Sequence, residues 1–321
     1  MGAIVAALPA LEGFFTIGVL IGLGWLLARV GLFTSDHRHL MSLLAFYVAS
    51  PALMYSMLVQ ADLTRVFAWS AVASYGAIAV AALVYLVASA WFRRRDLSGT
   101  TIGTFLSCYS NAGNLGIPVA AYALKDVRWI VPILLIQLVI LQPVGLALLD
   151  AGRTRLTGRR PSVVSLVTLP LRNPLTVGVV LGLVVNAVHQ RVTWFMLPVW
   201  VQQPIDMIGA VAVPLMLLGF GISIRLDPKL AGGAERVESW FVVAVKTVVE
   251  PLVAWLLARW VLRLDPVTVR AVSLIAALPP AQNIFVFASK YGVRLTFARD
   301  TIFRATAVSA VVILILAAVL A

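Results

Sequence analysis

The chain has 321 residues, 61% of them hydrophobic and only 12% charged, which excludes an ordinary soluble domain with its roughly 25% of charged residues. The net charge of +12 does not indicate nucleic acid, because the basic residues sit in short loops between apolar runs, where they orient a membrane protein. The single cysteine, Cys108, excludes an internal disulfide.

Ten apolar runs follow in chain order, at 11–29, 39–59, 66–91, 100–123, 128–149, 173–190, 199–224, 239–261, 268–290 and 299–320. Each is near the roughly 20 residues that cross a bilayer. The start, MGAIVAALPALEG, lacks the basic segment of a conventional cleavable signal peptide. One alternate set of loops holds 16 of the 25 Lys and Arg residues and the other holds 7. Basic loops stay cytoplasmic. The longest, DAGRTRLTGRRPS from Asp150 to Ser162, is therefore expected inside and both termini outside. His37 and His39 are two apart and do not share a helix face, and His189 is distant, so no metal site is expected.

The halves resemble each other. TIGVLIGL from Thr16 to Leu23 matches TVGVVLGL from Thr176 to Leu183, and VASPALM from Val48 to Met54 resembles VAVPLML from Val211 to Leu217. Prolines interrupt the fourth run of each half, at Pro118 and at Pro279 and Pro280. Five spans per half is odd, so the second half enters from the opposite side and the repeats are inverted. The expected fold is thus an all-α membrane protein of ten helices. Residues 1–149 form one five-helix repeat, 150–172 a basic cytoplasmic loop and 173–321 the inverted repeat. Many secondary transporters have this architecture, with the site at the bilayer midplane where discontinuous helices meet.

The fourth run contains YSNAGNLGIPVA, from Tyr109 to Ala120. Gly113 and Gly116 weaken a helix, and Pro118 pushes Ile117 toward extended geometry. A break is expected over 112–117, with the helix restarting at Pro118. The ninth run repeats the device as AALPPAQNIFVFASKYG, where Pro279 and Pro280 break the helix and Gln282 and Asn283 open its second half. Backbone freed at membrane depth must be satisfied by protein or a water-filled cavity. The amides of Asn111, Asn114, Gln282 and Asn283 can do this, and two facing half-helix N-termini would suit a carboxylate. A small organic anion is the expected substrate, with the lipid bilayer as surroundings.

The eighth run holds VKTVVEPL, in which Lys246 and Glu250 are four apart and Pro251 should loosen the helix. They form either a structural ion pair or an anion-attracting lysine beside a proton or cation site. Glu12 and Asp206 read as acids in the first turn of helices opened by Pro9 and Pro204, and Asp300 can pair with Arg304. No carboxylate lies within 109–120 or 278–288, which counts against a cation antiporter. No nucleophile motif and no GxxxxGK occurs, so neither an enzyme nor a bound cofactor is expected. Coupling to H⁺ or Na⁺ stays open, and a non-transporting receptor or scaffold is the alternative from another class.

SNAGNLGIP and PPAQNIFVFASKYG, with YVASPAL in the second run and VAVPLMLLGFGISI in the seventh, resemble the auxin efflux carrier family. That family includes bacterial malate and malonate permeases and the plant PIN auxin exporters. The resemblance implies a fold related to bile-acid symporters and certain sodium/proton antiporters. Spans 1, 2, 6 and 7 would form a scaffold, and spans 3–5 and 8–10 a transport bundle in which broken spans 4 and 9 cross. It further implies an elevator-like movement, a homodimer and a place in the bacterial inner membrane. In the plant relatives the crossover asparagines and prolines contact the substrate carboxylate. Asn111, Asn114 and Asn283, with Pro118 and Pro280, are the matching residues. The plant pattern has one asparagine where this chain has Asn111 and Asn114, so either is the contact.

Overall fold

The structure is a computed structural model that describes residues 2–61, 68–92, 96–116, 119–156, 174–191, 198–226 and 233–320. Most of the expected basic loop, together with Ile117, Pro118 and Ala321, lies outside the described residues.

A chain this apolar can satisfy its backbone in lipid only by internal hydrogen bonding, and the described residues do so as helices. In chain order these are α1 Gly2–Arg29, α2 Ser35–Val59, α3 Trp69–Ser89, α4 Leu97–Cys108, α5 Val131–Arg153 and α6 Pro174–Arg191. There follow α7 Val199–Leu226, α8 Gly233–Val261, α9 Pro266–Ala276, α10 Asn283–Tyr291 and α11 Leu295–Val319. Among the described residues there is no strand, only an isolated antiparallel bridge between Ser110 and Pro280. Helix falls in each of the ten expected runs. By length and composition, α2, α3, α5, α7, α8 and α11 are each able to cross a membrane. In contrast, α4, α9 and α10 have 12, 11 and 9 residues. At about 1.5 Å per residue, none of these spans a hydrocarbon core of about 30 Å alone. Exposed Trp69 and Trp91 bracket α3, and exposed Trp200 and Trp260 sit near ends of α7 and α8, the depth at which indoles mark the membrane–water boundary.

Prolines set several local departures from α geometry. Pro51, Pro143 and Pro251 each follow a π-helical turn by two residues, namely Ala45–Ala49, Gln137–Leu141 and Val245–Val249. A proline has no N–H for the carbonyl four residues back and its ring crowds that carbonyl, so the preceding turn widens. The loosening expected at Pro251 thus falls on its N-terminal side, in the turn that carries Lys246.

The expectation that Glu12 and Asp206 stand in the first turns of helices opened by Pro9 and Pro204 is corrected: α1 begins at Gly2, so Glu12 lies inside it. Helix α7 begins at Val199, capped by Pro198, and Pro204 is inside it. Asp206 is therefore mid-helix, where its Oδ1 accepts from Ser56 Oγ at 2.5 Å and Gln202 Nε2 at 2.8 Å. Asp300 pairs with Arg304 as expected, at 4.0 Å, and more closely with its neighbour Arg299, at 2.7 Å. His37 is engaged locally, its Nδ1 accepting from the Thr34 N–H at 3.1 Å at the start of α2.

Packing brings α1 along α7 and α6 along α2, while α7 also contacts α2. The remaining helices meet one another, with α8 against α3, α9 and α11, and α4 against α3 and α5. Small residues permit the closest of these approaches. A methyl group at Gly221 would stand 2.0 Å from the Ile21 carbonyl oxygen, and one at Gly178 2.3 Å from that of Pro51. Gly18 and Gly22, the sequence counterparts of Gly178 and Gly182, face open space instead.

Candidate functional site

The fourth and ninth runs are each broken, and the breaks meet. Asp96 accepts from the Gly99 N–H at 2.6 Å and starts α4; the helix ends at Cys108, and Tyr109 is extended at φ −96°, ψ 100°. Asp265 starts α9 by accepting from Thr268. The hydroxyl and N–H of Thr268 hold its carboxyl below the usual carboxylate range. That helix stops at Ala276, ahead of Pro279 and Pro280. Between the breaks, the Asn111 N–H donates to the Pro279 carbonyl at 2.8 Å and the Ala281 N–H to the Tyr109 carbonyl at 3.0 Å. Each interruption thereby satisfies the other's freed backbone.

This differs from the expectation that amide side chains patch the breaks. The fourth run opens at 109–111, slightly before the expected 112–117. It resumes as π turns, Ala112–Gly116 and Val119–Ala123, and not as a regular half-helix. Among the described residues, α10 alone supplies the expected regular second half, with Gln282 as its cap residue and Asn283 first in the helix. Asn114 lies in the turn Ala112–Gly116, its side chain outside the described set, and Pro118 is wholly outside it. Gly116 is packed: a methyl group there would stand 2.6 Å from Ile130 Cδ1 and 3.0 Å from Leu278 Cδ1. Gly113 instead borders a cavity, and a methyl group there would stand 3.6 Å from Met57 Cε, an ordinary contact.

That cavity measures about 60 Å³, several times the roughly 10–15 Å³ that one water needs. Its polar lining includes Tyr109, Ser110, Asn111, Gln137, Gln282 and Asn283, and among the described residues no carboxylate lines it. Asn111 Nδ2 donates to Gln282 Oε1 at 2.7 Å, joining one break to the other. Asn283 is held loosely, by a 3.5 Å contact from its Nδ2 to the Tyr109 hydroxyl, while its Oδ1 is buried with no partner. Tyr109 donates in turn to Gln142 Oε1 at 3.1 Å. Ser110, Tyr109 and Gln137 are lining residues that motif reading missed. A hydroxyl or amide inside an apolar run carries no sign of the cavity it faces. A larger apolar groove of about 430 Å³, between α1, α7 and α11, also includes Gln282 in its lining.

Lys246 and Glu250 are buried and paired, Nζ to Oε2 at 2.7 Å. Lys246 also donates to Ser110 Oγ at 2.7 Å and to the Ala276 carbonyl at 3.3 Å. Its cation thus stands one hydroxyl behind the cavity wall. A second buried ion pair joins Arg294 to both oxygens of Glu238, at 2.8 and 2.6 Å, with the Tyr85 hydroxyl donating to the same carboxylate at 2.8 Å. It lies away from the cavity lining and ties α3, α8 and the start of α11 together.

A chain of membrane-spanning helices around paired helix breaks and a polar cavity has the layout of a membrane carrier. Comparison with known proteins agrees: the family model described as a membrane transport protein matches residues 9–156 and 157–317. The chain belongs to this family, that of the auxin efflux carriers, and is a transporter and not an enzyme. One relative, described as a "Putative malonate transporter" of Rhizobium meliloti (strain 1021), is 27% identical over 302 residues. The match covers 90% of this chain and 89% of the relative.

Proposed function

We propose that this chain is a secondary carrier of small organic anions, and that a carboxylate of the substrate binds in the cavity at the two helix breaks. The observation that carries the reading is the composition of that cavity: among the described residues neutral amides and hydroxyls line it and no carboxylate does, and a lysine stands directly behind Ser110. Because Ser110 Oγ accepts from Lys246 Nζ, its own hydroxyl proton remains available to donate to an anion. Asn111 and Asn283 come from opposite breaks, and Asn283 is loosely enough held to turn its N–H₂ toward a ligand. The relative's description as a "Putative malonate transporter" supports short dicarboxylates as the substrates to try first.

Two finer features belong to the same proposal. The first is an inverted repeat of five spans, with α1, α2, α6 and α7 as a scaffold and the other helices as a bundle that moves past it like an elevator, within a homodimer. The pairing of α1 with α7 and of α6 with α2 supports it, since inversion relates one pair to the other. The second is coupling through Glu250. Protonating this carboxylate would leave the charge of Lys246 unbalanced behind Ser110 and favour an anion. Linkage then requires the anion to favour the proton equally.

Purified protein melted in the presence of mono- and dicarboxylates tests the central reading, backed by uptake into proteoliposomes. The expected result is a concentration-dependent rise in Tm with short carboxylates and their accumulation inside the vesicles. Absence of both across the series would refute it.

A further inference from the structure

We propose that Gln137 is the second anchor of the substrate site and selects a short dicarboxylate over the matching monocarboxylate. This inference rests on the reading of the cavity as a carboxylate site and names the substrate class within it.

Gln137 is 2% exposed and lines the cavity from α5. Its Nε2 is buried and has no hydrogen-bond partner. An amide donor taken out of water without a partner is costly, and native proteins keep few such groups. A ligand acceptor in the cavity would relieve the cost. The backbone gives independent support. Gln137 opens the π-helical turn Gln137–Leu141 ahead of Pro143. Such widened turns re-aim a side chain and recur at functional sites.

The cavity already has donors at the breaks for one carboxylate, namely Ser110, Asn111 and Asn283. Gln137 stands on another element bordering the same small space of about 60 Å³. Two separate sets of neutral donors around so short a cavity fit a molecule carrying an acceptor group at each end and few atoms between. A three-carbon dicarboxylate has that form. A monocarboxylate of the same length would reach the breaks but present only a methyl group to the Gln137 amide, leaving the donor unsatisfied. A site built to hydrogen-bond a group discriminates strongly against the analogue that lacks it, for this reason.

The test compares malonate with propionate, which share a three-carbon skeleton and differ by one carboxylate. Binding is measured to wild type, Gln137→Met and Gln137→Glu, with a melting curve for each protein. Methionine keeps the length and removes the donor; glutamate keeps the shape and sets a negative charge against the second carboxylate. The expected result is a loss of malonate affinity of about tenfold or more in both variants, with propionate affinity within about twofold of wild type. Gln137→Met should also melt no lower than wild type without ligand, because it deletes an unsatisfied donor. Equal losses for both ligands, no loss for malonate, or a lowered Tm in Gln137→Met would overturn the inference. If wild type binds neither ligand, the carboxylate reading of the cavity itself falls, and that outcome is distinct from the others.

Discussion

At the scale of single residues, the cavity lining separates groups that hold the breaks from groups that the proposed ligand would meet. Asn111 bonds Gln282 across the breaks, whereas Asn283 has a long contact and a buried, unpartnered oxygen. Asn283→Ala is therefore expected to leave Tm nearly unchanged and to weaken carboxylate binding by roughly tenfold to a hundredfold, the loss of one hydrogen bond to a charged group at about 1.5–3 kcal/mol. Asn111→Ala should cost both affinity and stability. A melting curve beside a binding isotherm for each variant separates the two, and a normal affinity in Asn283→Ala would remove that amide from the site.

Lys246 and Glu250 make a sharper case because both are buried. Lys246→Ala strands a carboxylate, and losing one partner of a buried pair costs about 3–5 kcal/mol. Expression and Tm should fall, and adding Glu250→Gln should restore them without restoring anion binding. Glu250→Gln alone leaves Lys246 charged behind Ser110, so anion affinity should rise and lose its pH dependence. Titrating affinity against pH in that variant checks the coupling; an unchanged pH profile would exclude Glu250.

At the scale of elements, prolines act at a distance of one turn. Pro251 sits beyond Val245–Val249, and that widened turn is where Lys246 finds Ser110 on the facing break. Pro251→Ala returns an N–H to the helix and permits a regular turn. Since one residue of register rotates a side chain by about 100°, Lys246 should lose Ser110 while the helix itself becomes more stable. The expected outcome is a folded protein with a Tm at or above wild type and weaker anion binding; wild-type affinity would show that the widened turn has no part in placing the lysine. Gly221 tests a different contact. Gly221→Val sets a branched side chain against the Ile21 carbonyl and should prise α1 from α7, lowering Tm by several degrees, as overpacking by about 1–3 kcal/mol implies.

At the scale of the whole molecule, the proposal needs two bodies that slide and a chain that enters and leaves the membrane on the same side. The basic bias of the loops predicts both termini outside. A reporter active only in the cytoplasm, fused after Ala321, should be silent, while the same reporter inserted after Gly158 should be active. An active fusion at Ala321 would sink the orientation and, with it, the inverted repeat.

Much of the architecture was legible in the chain because the physics behind it is local. Long apolar runs must hydrogen-bond internally, prolines and glycines must interrupt them, and those facts placed a break in each of the fourth and ninth runs before any coordinates. Run length did not separate α4, α9 and α10, which cannot span alone, from the helices that can; the interruptions inside the fourth and ninth runs did. What the tertiary structure decided was how the two interruptions join. The mutual hydrogen bonds between 109–111 and 279–281 join residues some 170 positions apart, and no local pattern encodes such a pairing. For the same reason the amides of Asn111 and Gln282 proved to meet each other, Ser110 to carry the reach of Lys246, and Gln137 to border a cavity. A glutamine in an apolar run reads the same whether its amide is bonded or bare; only the packing of the other helices around it leaves the donor without a partner.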